Sequence, residues 1–126
     1  MNSIDIFLGT DIIEVNRIKT SISAIGHRFV NRIFTSDEQN YCFSKRRPEI
    51  HFAGRFAAKE SVMKALISSG YNRSIPFKTI EIKPSKNGSP EVNLGLLFEG
   101  KIKCELTLLH LSQKDFISNG GSSFII

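Results

Sequence analysis

The stretch PEIHFAGRFAAKESVMKALISSG, from Pro48 to Gly70, decides how the rest of the chain is read. A proline suits the first helical position, where its missing N–H is not needed, and a glycine suits the residue that ends a helix. Between them Phe52, Phe56, Met63, Leu66 and Ile67, with several alanines, present apolar surface on more than one side. A helix that is apolar all round is buried, so the pattern predicts a largely buried helix over 48–69. Glu60 and Lys64 lie four apart on it and share a face. Such a pair is an ordinary helix salt bridge, contributing about 0.2–0.5 kcal/mol. The aromatics and small residues packed around these charges point to a further task.

Upstream, Lys45-Arg46-Arg47 forms a basic turn, and Ser36-Asp37-Glu38-Gln39 has the pattern of a capping box that opens a helix ending near Ser44. Phe29, Val30, Ile33 and Phe34 suit a short helical or irregular piece. Val15, Ile18, Ile22 and Ile25 recur at helical spacing up to Gly26. The opening Ile4 to Ile13 reads as a buried strand bent near Gly9, with Asp11 inside it. A carboxylate in an apolar strand is costly unless something binds it. Two roles fit: Asp11 caps the first helix, or it shares a hard cation with a second carboxylate. Magnesium suits the second, because it takes oxygen ligands, keeps waters and is completed by substrate phosphates.

Downstream, Ile80 and Ile82 alternate with Glu81 and Lys83 and run into Asn87-Gly88, a hairpin turn signal, with Glu91 to Leu94 returning. Ile102, Cys104, Leu106 and Leu108 alternate as a further strand, and Phe124 to Ile126 form the last. Helices come mostly first and strands second, so the expected class is α+β, helices packed on an antiparallel β-sheet. With 126 residues, 40% of them hydrophobic, the chain is expected to form one domain over 1–126.

The bulk composition narrows the setting. No apolar run reaches the length of a membrane span, and the N-terminus has no basic region leading into an apolar core, so a soluble cytoplasmic protein is expected. Cys42 and Cys104 lack the spacing of a zinc site or a disulfide framework, which fits a reducing compartment. A formal charge of +5 favours anionic partners. The basic residues are scattered and no glycine-aromatic RNA-binding signature is present, which disfavours nucleic acid.

Gly9-Thr10-Asp11-Ile12, followed by Arg17, and Phe52-Ala53-Gly54-Arg55-Phe56-Ala57-Ala58-Lys59-Glu60 with Lys64 resemble the two signature motifs of the holo-acyl-carrier-protein synthases, the short bacterial phosphopantetheinyl transferases. The separation of the motifs also matches. The resemblance runs clearly from about Leu8 to Leu66 and more weakly to His110. It implies an enzyme that moves the phosphopantetheine arm of coenzyme A to a serine of an acyl carrier protein, in support of fatty acid synthesis. Asp11 and Glu60 would hold magnesium, and Lys64 would sit by the coenzyme A phosphates. Glu60, directly or through a water, would be the base. Lys45 and Arg46 would approach the 3′-phosphate, with His110 near the nucleotide. Arg17, Arg28 and Phe29 would meet the carrier protein, and a homotrimer with sites between subunits is implied. The sequence departs from the family pattern at Ser89, Leu109 and Asn119-Gly120-Gly121. Two other classes stay open on the residues alone: a basic binding module with Glu60 and Lys64 as a plain salt bridge, and a scaffold that binds coenzyme A without transferring.

Overall fold

A computed structural model describes residues 6–95 in full and residues 107–111 and 121–125 as strand backbone. Strand β1 (Thr10–Glu14) leads directly into helix α1 (Val15–Ile25), followed by α2 (His27–Ile33), α3 (Ser36–Phe43) and the long α4 (Pro48–Ser68). A short 3₁₀ helix (Phe77–Thr79) and strands β2 (Glu81–Pro84), β3 (Pro90–Asn93), β4 (Thr107–Leu111) and β5 (Gly121–Ile125) complete the described elements. The class is α+β, as expected. The described strands form two antiparallel sheets where one was expected: β1-β5-β4, and the separate hairpin β2-β3.

Helix α4 is the centre of the molecule. Its Ala57, Ala58, Val62 and Leu66 pack with Ile80, Ile82 and Leu94, while its Phe52 and Ala53 pack with Val15, Ile18, Val30, Ile33, Phe34 and Cys42. Both clusters therefore hang on one helix, which is why its apolar residues are not confined to a stripe. Phe34 and Phe52 are fully buried, with ring centroids 4.8 Å apart. Burial pushes the Cys42 thiol up to about 12, so it is a packing residue and not a nucleophile.

Three expectations shift in detail. The first strand begins at Thr10, and residues 6–9 are not strand; residues 1–5 lie outside the described residues. At Gly9 a Cβ would collide with the Ser61 carbonyl oxygen and stand 2.7 Å from the Ala65 nitrogen. The chain runs against the bare backbone of α4 at this point, and sheet pairing starts only beyond it, from Thr10 opposite Ile125 to Glu14 opposite Gly121. The capping box is displaced by one residue. Extended Thr35 is the N-cap, its hydroxyl accepting from the Glu38 N–H while Glu38 Oε1 accepts from the Thr35 N–H at 2.9 Å. Of the strand expected over 102–108, only 107–108 fall among the described residues, within β4. The hairpin stands as expected, with Gly88 at a positive φ of 86° in its turn.

Candidate active site

Asp11 projects from β1, the strand that Gly9 presses onto α4, and Glu60 and Lys64 project from α4 itself. Asp11 and Glu60 line one cleft of about 240 Å³, with Arg17, Ile18 and Ser21 of α1, Phe29 of α2 and Phe56 of α4. Asp11 does not cap the first helix: the N-cap of α1 is Glu14 and no side chain caps it. Nor do Glu60 and Lys64 form the expected intrahelical salt bridge. The Lys64 ammonium crosses to β1, donating to Asp11 Oδ1 at 3.0 Å and to the Thr10 carbonyl at 3.1 Å.

Glu60 makes no hydrogen bond or ion pair among the described residues. Partial burial raises its pKa above the ordinary carboxylate value, the negative charge of Asp11 adds to the rise, and Lys64 opposes it. Two carboxylates facing one cleft, one of them held at raised proton affinity, have the donor chemistry of a hard-cation site. No group of three or more His, Cys, Asp or Glu side chains suited to a metal occurs among the described residues. Magnesium does not require one, since one or two carboxylates completed by waters and substrate phosphates suffice. The residues present therefore fit such an ion.

The 4′-phosphopantetheinyl transferase superfamily matches the chain over residues 7–119. The holo-[acyl-carrier-protein] synthase of Protochlamydia amoebophila is 44% identical to it over 111 residues, which cover 88% of this chain and 84% of that one. The chain belongs to the holo-[acyl-carrier-protein] synthase family. The synthase of Bacillus anthracis, solved in complex with CoA (3′,5′-ADP), is 27% identical with a TM-score of 0.68, covering 95% of this chain and 92% of its own. That of Neisseria meningitidis is 26% identical with a TM-score of 0.72, covering 96% and 97%.

Within this synthase fold the remaining candidates divide between the cleft and its surroundings. Arg17 and Phe29 line it, but Arg28 stands exposed on α2 outside it. Lys45 and Arg46 are exposed in the turn before α4, and at 1.5 Å per residue Glu60 lies roughly 18 Å further along the helix from Pro48. Lys45 sits over the Tyr41 ring at 4.5 Å, as does the guanidinium of buried Arg55 at 4.1 Å. His110 is in β4 opposite Ser122, and Ser122 in turn is opposite Ile13. Its side chain is outside the described residues.

The sequence patterns assigned no role to Lys59 and no partner to Glu38. Lys59 directly precedes Glu60 and is fully buried. Its ammonium lies 2.7 Å from Glu38 Oε1 and donates to the carbonyls of Phe77 and Ile80 at 3.0 and 2.6 Å. The second oxygen of Glu38 accepts from the Ile82 N–H at 3.0 Å. Burial lowers the Lys59 pKa and Glu38 opposes that shift. One ion pair thus ties α3, α4 and the approach to β2 together. The available signal was Thr35-Ser36-Asp37-Glu38, which is also a capping-box pattern.

Proposed function

We propose that this synthase transfers the 4′-phosphopantetheine arm of coenzyme A to a serine hydroxyl of an apo acyl carrier protein, releasing adenosine 3′,5′-bisphosphate. The observation that carries the proposal is the cleft itself: Asp11 and Glu60, brought from separate elements to one small concavity, with the Lys64 ammonium on Asp11. The coenzyme A complex of the Bacillus anthracis relative supports the donor. Asp11 and Glu60 would hold magnesium, which supplies charge neutralisation on the pyrophosphate when bound.

The chain's own groups do the rest. The serine oxygen forms a bond to the β-phosphorus as the bond to the bridging oxygen breaks, and the bridging oxygen leaves with the nucleotide. Glu60 takes the serine proton, directly or through a water, and its raised pKa suits it to that task. Lys64 places a cation beside the leaving phosphate. The apolar walls from Ile18, Phe29 and Phe56 limit water around the reacting atoms. Arg17, Arg28 and Phe29 are assigned to the carrier protein, and Lys45, Arg46 and His110 to the nucleotide end of coenzyme A.

The same proposal takes residues 1–126 as one domain of a cytoplasmic enzyme serving fatty acid synthesis. It also takes the enzyme as a homotrimer with sites between subunits. The distance of the basic turn from the two carboxylates within one chain supports a site shared between copies. No described helix is long and apolar enough to cross a membrane.

Incubation with coenzyme A, apo carrier protein and magnesium, followed by mass measurement of the carrier, tests the reaction. A single added phosphopantetheine is expected, and Asp11→Ala or Glu60→Ala should abolish it with the fold retained. Coenzyme A binding with no change in carrier mass would leave only a coenzyme A-binding scaffold.

A further inference from the structure

The ammonium of Lys64 occupies the position of a cation. Its helix neighbour Glu60 is one turn away, yet Lys64 bonds a carboxylate oxygen of Asp11 and the backbone carbonyl of Thr10, both on β1. Carboxylate and carbonyl oxygens are also the donors a hard divalent ion selects. Exposure is unequal: the Asp11 side chain is 18% exposed and that of Lys64 52%. The carboxylate is fixed by its strand, whereas the lysine is the hydrated, flexible partner that can leave.

We propose that Lys64 is a placeholder for the divalent cation: in the metal-free synthase its ammonium occupies the Asp11 oxygen needed by the metal, and it vacates that oxygen as coenzyme A phosphates arrive. The inference rests on the cleft being the metal site of the transferase. The ammonium offsets the Asp11 charge while the cleft is empty of substrate, so Asp11 and Glu60 can face each other without a metal. It also competes with the metal until the phosphates give it another partner. Metal and coenzyme A therefore bind with positive coupling, part of which is the release of Lys64 from Asp11.

Manganese serves as the probe, titrated by electron paramagnetic resonance of the free ion against wild type, Lys64→Met, Arg17→Met and Asp11→Ala, first without coenzyme A and then with it. Lys64→Met should bind manganese about two- to fivefold more tightly than wild type in the absence of coenzyme A, the scale of a displaced half-exposed ion pair. The enhancement on adding coenzyme A should be smaller in Lys64→Met than in wild type. Arg17→Met removes a positive charge from the same cleft without freeing Asp11, and it should stay within about twofold of wild type. Unchanged or weaker binding in Lys64→Met overturns the placeholder and leaves the metal site standing, as does equal tightening in Arg17→Met. Wild-type binding that Asp11→Ala does not weaken, or no binding at all, overturns both.

Discussion

Glu60 sits in its cleft at a thermodynamic disadvantage. Burial and the Asp11 charge raise its pKa, so the folded chain holds a proton there more strongly than the unfolded chain does. Between the ordinary carboxylate value near about 4.3 and the raised value, the native state binds more protons than the unfolded one, and stability falls as pH rises. Above that window the penalty is fully present. Glu60→Gln should therefore stabilise the metal-free protein at neutral pH while abolishing transfer. The gain should be below about 1 kcal/mol, because the side chain is partly solvated. Thermal melts at acidic and neutral pH check it, and an unchanged melting temperature at neutral pH would contradict the account. Asp11, Glu60 and Lys64 were legible as a set because two motifs stand at a fixed separation. Their pairing was not: sequence spacing joins Glu60 to Lys64, and only the approach of β1 to α4 gives Lys64 to Asp11.

At the scale of elements, two contacts hold the cleft in shape. Gly9 lets β1 approach the backbone of α4 more closely than any side chain allows. Gly9→Ala forces one of them to move, and overpacking of this kind destabilises by about 1–3 kcal/mol. Because the strand carries Asp11 two residues later, transfer should fall by more than tenfold even where the protein remains folded. Denaturant unfolding and the transfer assay on the same sample separate these effects. The second contact is the buried Glu38–Lys59 pair. Removing one partner leaves an uncompensated buried charge, so Lys59→Met should destabilise by about 3–5 kcal/mol. Glu38→Gln with Lys59→Met should recover part of the loss, measured as a coupling in a double-mutant cycle. The helices themselves were legible, since Pro48, Gly70 and Gly26 mark ends that the structure keeps. The cap was misplaced because both Thr35-x-x-Glu38 and Ser36-x-x-Gln39 fit the pattern, and choosing between them needed the partner supplied by Lys59, far along the chain.

At the scale of the molecule, the proposal of a shared site has a direct consequence for concentration. If Lys45 and Arg46 act on coenzyme A held by a neighbouring copy, specific activity should fall on dilution below the assembly range. Light scattering should then report three copies above that range. A monomer with full activity at all concentrations would contradict the shared site. The α+β class was legible from the order of helical and alternating segments. The sheet arrangement was not, because alternation marks a strand without naming its neighbour. Nothing in Thr10–Glu14 announces that it pairs with Gly121–Ile125 and not with the hairpin.

That pairing governs when the enzyme becomes competent during its own synthesis. The strand bearing Asp11 leaves the ribosome well before its sheet partner does. Helices α1 to α4 can assemble from local contacts as they emerge, whereas the pairing of β1 must wait for residues 121–125. A nascent chain stalled after Leu111 would contain every residue of both signature motifs and still lack the neighbour that holds Asp11 in register. Truncation there should abolish transfer as completely as loss of Asp11 itself.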